Sequence, residues 1–273
     1  MRMTSIRRAL PLLAVALAAA VAPALSAAEE RFEKAYELAG IDKVRLQNVN
    51  GPVRIESWDR DYLRVTAVKR AKGSQAEEVL RDTEVRIGKH GSLIEIETIL
   101  PKRNKLFGLF DVSHSPGAEV AYDLLLPASM AIDVETVNGR ITTTKRIGTI
   151  NLSTVNGAVR VEEQAGPLKV NTVNGSVEVT FAGAMRPAEL ETVNGSVTVA
   201  GAKDSSIRYD LQTVNGRIES EFASLDVRKK WGPKSARGEV NGGRDAISVE
   251  TVNGEVRLQV ADVAVVNPVK QVK

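Results

Sequence analysis

The feature that most constrains this chain is a tetrapeptide repeated along its second half. Thr-Val-Asn-Gly occupies 136–139, 154–157, 172–175, 192–195, 213–216 and 251–254, and Asn48-Val-Asn-Gly51 and Glu239-Val-Asn-Gly242 are variants of it. The asparagines fall at 50, 138, 156, 174, 194, 215, 241 and 253; from 138 onward the steps are 18, 18, 20, 21, 26 and 12 residues. A near-constant step close to twenty residues marks stacked supersecondary units, and chance does not produce six exact copies.

Each unit has one grammar. Val170 and Thr172 precede a turn and Val177, Val179 and Phe181 follow it; Leu190 and Thr192 precede the next, with Val197 and Val199 after it; Ile247, Val249 and Thr251 precede the last, with Val256, Leu258 and Val260 after it. Such alternation of β-branched residues describes strands with one buried face. Asn-Gly suits a tight two-residue turn because both residues tolerate positive φ. The expected structural turn residues are Asn50, Gly51, Asn138, Gly139, Asn156, Gly157, Asn174, Gly175, Asn194, Gly195, Asn215, Gly216, Asn241, Gly242, Asn253 and Gly254. Breakers at Arg146-Ile-Gly148, Ala165-Gly-Pro167, Gly183–Pro187 and Gly201–Asp204 separate the units.

Two all-β architectures satisfy this grammar. One is an antiparallel hairpin meander. The other is a β-solenoid, in which each unit is one coil and the asparagines form a ladder up one corner. Identical turns at near-equal steps favour the solenoid, since a ladder rewards repetition and a meander has no need of it. The triplets at 174–176 and 194–196 match a glycosylation acceptor, a by-product of the turn.

Composition excludes several functions. The chain has 37 Lys plus Arg, 34 Asp plus Glu, 2 His and no Cys. Residues 1–28 hold Arg2, Arg7 and Arg8 and no acid, so 34 bases face 34 acids over the rest. That balance argues against nucleic acid as a partner. Without Cys there is no disulfide, thiolate metal site or thiol nucleophile, and two histidines leave little for a zinc site or a triad. Aromatics at 4% make stacking platforms scarce.

Residues 1–28 read as a secretory signal peptide: a cationic start, an uncharged run from Ala9 to Ala22, then small residues through Ala28. The protein is expected to be exported, in the periplasm or at the cell surface of a bacterium, with no transmembrane segment in the mature chain. Residues 29–127 read as a β-rich N-terminal capping region, 128–260 as the repeat region and 261–273 as a tail. The cap carries one short helix near 74–81, with Ser74 as its cap and Glu77 three residues on. Arg228–Pro233 reads as an insertion out of one turn.

The motif Asn48-Val-Asn-Gly51 with Val53-Arg-Ile55 and Trp58-Asp59, the short helix, Tyr122 to Pro127 and the serial Thr-Val-Asn-Gly units resemble a bacterial family called "putative adhesins", a domain of unknown function built of β repeats. The resemblance covers roughly residues 40–260. It implies an exported or envelope-facing β-solenoid, no agreed catalytic residues, and in some members an association with envelope stress signalling.

No catalytic or metal-binding residue is assigned, and no cofactor is expected. Asp133, Glu135, Glu178, Glu189, Glu191 and Asp210 alternate with apolar residues on strands, which describes a solvated face with cross-strand charge pairs. Calcium-binding rolls need a Gly- and Asp-rich nonapeptide, which is missing. The segment 101–117 is long for a loop, cationic in front and apolar behind. Lys102, Arg103, Lys105, Phe107 and Phe110 make it a candidate interaction loop, or a lid that folds over the solenoid end. His114, His90 and the small patch Lys229, Lys230 and Trp231 suggest no chemistry of their own. The function expected is a non-enzymatic binding or scaffold module whose partner is an envelope component (protein, glycan or lipid surface) or a second copy of itself. The alternatives are a polysaccharide-active solenoid enzyme, which needs acids and arginines converging in one groove, and a structural polymer, which needs uncapped ends.

Overall fold

The computed structural model describes residues 27–100, 117–222, 228–229 and 233–261. In chain order the N-terminal elements are β1 (Ala27–Glu37), β2 (Lys43–Gln47), β3 (Val53–Trp58), β4 (Tyr62–Lys72), α1 (Ala76–Asp82), β5 (Glu84–His90), β6 (Leu93–Ile99) and β7 (Glu119–Pro127). The repeats supply β8 (Ala131–Asn138), β9 (Ile141–Thr144), β10 (Ile150–Asn156), β11 (Val159–Gln164), β12 (Leu168–Asn174), β13 (Val177–Phe181), β14 (Ala188–Asn194) and β15 (Val197–Gly201). Last come β16 (Ile207–Thr213), β17 (Ile218–Ser220), β18 (Arg228–Lys229), β19 (Lys234–Val240), β20 (Asp245–Asn253) and β21 (Val256–Val260).

These strands form a two-sheet β-solenoid. Each coil contributes one strand to each sheet, and like strands pair in parallel and in register. Ile150 faces Leu168, Leu152 faces Val170 and Thr154 faces Thr172, and the same columns continue through the neighbouring coils. The second sheet repeats the pattern with Ile141, Val159, Val177, Val197 and Val256. Within each strand, buried and outward residues alternate, so one face of each sheet makes the core between them. Most of that core is one continuous cluster running the length of the stack. Each fully buried Val, Leu or Ile gains roughly 1.5–3 kcal/mol from leaving water.

The spatial order of coils differs from the chain order at both ends. In the ten-stranded sheet the order is β1-β4-β7-β3-β9-β11-β13-β15-β21-β17; in the eleven-stranded sheet it is β18-β19-β16-β20-β14-β12-β10-β8-β2-β6-β5. The β2–β3 coil thus lies between the later β6–β7 coil and the β8–β9 coil. At the other end the final β20–β21 coil is inserted between β14–β15 and the earlier β16–β17. The irregular steps of 26 and 12 residues have this cause: the chain leaves the stack after β17, adds β19 antiparallel to β16, and returns one coil inward. Both sheets continue without a break through β2, β3, β6 and β7.

Antiparallel strands finish three of the four sheet ends: β5 on β6, and β4 on β7 with β1 on β4, at one end of the stack, and β19 on β16 with β18 on β19 at the other, where the ten-stranded sheet ends on the parallel strand β17. They pair most of the backbone that a bare coil would expose. The helix differs from its expected form. Gln75 rather than Ser74 precedes α1, and no side chain caps it. Its other end is held instead: Lys69 Nζ donates to the carbonyls of Leu80 at 3.2 Å and Thr83 at 3.0 Å, a cation at the negative end of the helix, and also meets Glu30 at 2.7 Å.

The Asn-Gly corners also have a different physical basis from the one expected. Positive φ is found at Gly51, Asn241 and Gly242, but at none of the six exact Thr-Val-Asn-Gly copies. Glycine is required there because each corner lies directly on the next. A Cβ on Gly175 would overlap the carbonyl oxygen of Gly157 and sit 2.5 Å from its carbonyl carbon; Gly195 stands in the same relation to Gly175. Gly183, in a looser turn, has nothing within 4 Å of its Cβ position. Gly175→Ala is therefore expected to lower stability by about 3 kcal/mol, the scale of overpacking against fixed backbone, and Gly183→Ala to be near neutral. Urea unfolding of both variants measures the difference; equal midpoints would refute the corner packing.

Candidate functional site

Each residue of Thr-Val-Asn-Gly has a separate task at the repeated corner. The threonine points inward and its hydroxyl donates to the glycine carbonyl of the adjacent coil: Thr172 to Gly157 at 3.2 Å, Thr192 to Gly175 at 3.0 Å, Thr251 to Gly195 at 3.0 Å and Thr213 to Gly254 at 2.9 Å. The asparagines form one continuous amide ladder. Nδ2 of Asn138 donates to Oδ1 of Asn50, and the series runs on through Asn156, Asn174, Asn194, Asn253 and Asn215 with bonds of 2.7–2.9 Å. Asn241 is not on this ladder. It turns the chain from β19 to β20 with φ 51°, and its amide donates to the carbonyl of Ser205 at 3.0 Å.

In the two outermost N-terminal coils the threonine column reads Thr98 and Asn48. Asn48 donates to the carbonyls of Gly51 at 3.1 Å and Val120 at 2.9 Å and accepts from Thr98, whose hydroxyl also meets Tyr122 at 2.7 Å. Burial raises the Tyr122 phenol to about 12 against the opposing bond from Thr98. Because Asn48 occupies the Gly51 carbonyl, the hydroxyl of Thr136 has no partner among the described residues.

The opposite corner does not repeat. Arg146 is fully buried there with its guanidinium among neutral acceptors: Ser57 Oγ at 3.0 Å, the carbonyl of Pro127 at 2.7 Å and that of Met130. Burial lowers its pKa to about 10. In the next coil Gln164, equally buried, donates to the carbonyls of Gly148 at 3.1 Å and Gly166 at 3.0 Å. Both side chains bind backbone carbonyls at the turns of this corner.

The acids singled out in the sequence lie on the outer faces of both sheets and do not converge. Glu178 pairs with Arg160 at 2.8 Å, Glu189 with Lys169 at 2.6 Å and Asp210 with Arg237 at 2.9 Å. Asp133 departs from the solvated face expected for it. It is 4% exposed, covered by Lys43 at 2.9 Å and Arg45 at 3.0 Å. Burial pushes its carboxyl up, but the bonds and charges of the two cations outweigh this and hold it below the ordinary carboxylate range. Glu135, Glu191 and Glu250 stand beside an outward column of valines: Val137, Val155, Val173, Val193 and Val214 are 38–40% exposed. This column was missed in the sequence, although its signal was there: if Thr points inward, the Val after it points outward.

His90 is exposed, 3.9 Å from Glu95. Lys102, Arg103, Lys105, Phe107, Phe110, His114, Lys230 and Trp231 lie outside the described residues, and Lys229 is described only as backbone. Among the described residues no group of three or more His, Asp or Glu could hold a metal ion, and no helix is long and apolar enough to cross a membrane.

The repeated corner defines a class, a parallel β-solenoid with an asparagine ladder. Residues 127–259 match the Toastrack DUF4097 family model. Solved structures with a similar fold include a "putative cell adhesion protein" from Clostridium sporogenes, 14% identical, covering 86% of this chain and 100% of that one with a TM-score of 0.48. A "putative adhesin" from Bacteroides fragilis is 9% identical, with coverage of 85% and 97% and a TM-score of 0.39. A "putative lipid binding protein" from Parabacteroides distasonis is 12% identical, with the same coverage and a TM-score of 0.30. No curated protein matches the chain.

Asn174 both donates and accepts on the ladder, whereas Asn215 at its end only donates. Asn174→Ala should therefore cost about 1–2 kcal/mol and Asn215→Ala about half that, read by urea unfolding; a larger loss at Asn215 would show that the ladder does not act as a chain. Asp133→Asn should cost about 2 kcal/mol at pH 7. Because the native carboxyl is depressed, its contribution is complete above the ordinary carboxylate pKa of about 4 and is lost as pH falls through the lower native value. The gap between parent and variant should narrow below pH 4; a gap independent of pH would remove Asp133 as the titrating group.

Proposed function

We propose that this chain is an exported, non-enzymatic binding module that presents the outer faces of a rigid β-solenoid to a component of the bacterial envelope. The leader-like residues 1–28 support export. The observation that carries the binding reading is the outward repetition at the Thr-Val-Asn-Gly corner. A column of exposed valines and a column of amides run side by side along the stack axis, and the core needs neither for burial. Stacked repeats generate extended surfaces of this kind, which suit extended partners. Against the polysaccharide-cleaving alternative, Glu178, Glu189 and Asp210 are each engaged by a separate cation, and Glu191 and Glu250, which share one groove, have no arginine or lysine paired with them among the described residues.

Photo-cross-linking in living cells tests the proposal, with the reactive group placed in turn at Glu178 on one outer face, Val173 on the other, and Phe107. A discrete adduct from at least one position, together with unchanged polysaccharide length after incubation with the purified chain, is expected. Depolymerisation by the purified chain overturns the reading, and so does the absence of an adduct from all three positions.

A further inference from the structure

The outer face of the eleven-stranded sheet carries a groove whose chemistry is one-sided. Its apolar wall is Val155, Val173, Val193 and Val252. The row beside it, in register from coil to coil, reads Glu135, Ser153, Asn171, Glu191, Glu250 and Gln212. These six positions hold three carboxylates and no base. Glu191 and Glu250 are register partners on adjacent parallel strands, which places them about 4.8 Å apart at the backbone. Like charges at that spacing repel unless a cation lies between them. Among the described residues neither forms an ion pair. Lys169, whose charge Glu191 feels, is bound to Glu189 at 2.6 Å. The parallel row two residues back along the strands is treated differently: its acids Asp133, Glu189 and Asp210 are each paired with at least one cation. Within the row of Glu191 and Glu250, Oδ1 of Asn171 is a buried acceptor with no donor among the described residues.

We infer that this groove is the docking site for a cationic amphipathic polypeptide segment, one that alternates Lys or Arg with aliphatic residues. The aliphatic side chains cover the valine column and an ammonium or guanidinium bridges Glu191 and Glu250. The sign of the charge selects this occupant: anionic lipid surfaces, nucleic acids and acidic glycans are repelled by a groove whose only charges are negative. The absence of aromatic residues from the groove lining disfavours a neutral sugar chain. The inference rests on the binding-module reading and narrows it to one face and one ligand chemistry.

The test is fluorescence anisotropy with a labelled octapeptide of alternating valine and lysine, titrated against the chain from residue 27 to 273. Saturable one-to-one binding that weakens with added salt is expected. Glu191→Gln with Glu250→Gln should weaken it about ten-fold and Val173→Thr with Val193→Thr about five-fold, with unfolding midpoints close to the parent's. Alternating glycine-lysine and valine-glutamine peptides should each bind far less well, since one lacks the aliphatic part and the other the charge. Binding that ignores the Glu191/Glu250 change, or equal binding of the glycine-lysine peptide, overturns the proposal. So does binding seen only when the chain ends at Ala261, which would make residues 262–273 the occupant. If the octapeptide fails to bind while the cellular adduct at Glu178 persists, the cationic partner is wrong and the binding-module reading stands.

Discussion

The structure depends on one close contact, the glycine of each repeated corner lying against the glycine carbonyl of the coil beside it. Residues at that corner approach so closely that no side chain fits between them. This contact holds neighbouring coils at strand spacing. Strand spacing then aligns the threonine hydroxyls with the same carbonyls and the asparagine amides with one another. A residue larger than glycine at one corner would separate the coils there and break the threonine bond, the amide bond and the local ladder of backbone bonds together.

The two long edges of the solenoid are built on opposite plans. One repeats a single solution, and its bonds are individually weak and exposed. The other solves each turn separately, with the buried guanidinium of Arg146 and the buried amide of Gln164 binding carbonyls that point into the core. The repeating edge permits coils to be added at constant register. The irregular edge makes each coil distinct from its neighbours, which opposes slippage of one coil past the next. The transposed coils at both ends place the β2–β3 coil and the β20–β21 coil inside the stack, each flanked on both sides by other coils.

The outer surface follows from the inner one. Inward threonine forces outward valine, so the apolar column is a geometric consequence of the motif that builds the corner. What lies beside that column is not dictated by the motif. Lys169, Arg160 and Arg237 neutralise neighbouring acids, whereas the row of Glu135, Glu191 and Glu250 holds no base. The charge asymmetry of this sheet lies in that difference.

Much of this architecture is legible in the chain itself. Six copies of Thr-Val-Asn-Gly at a step near twenty, with alternating Val, Ile and Leu on either side, describe strands with one buried face and favour stacking them like on like, because that arrangement gives each identical corner an identical neighbour. The order of the coils was not legible, since parallel pairing depends on which strands meet in space, and nothing in a step of 26 or 12 residues says that the last coil is inserted inward. Nor was the reason for glycine: positive φ is a local property readable from a dipeptide, but the overlap of a Cβ with the next coil exists only once two coils touch. Asp133 and Glu191 read alike in sequence, as acids on alternating strands. Tertiary structure alone placed two cations over the first and a second carboxylate beside the other, because charge pairing across parallel strands is set by register between residues far apart in the chain.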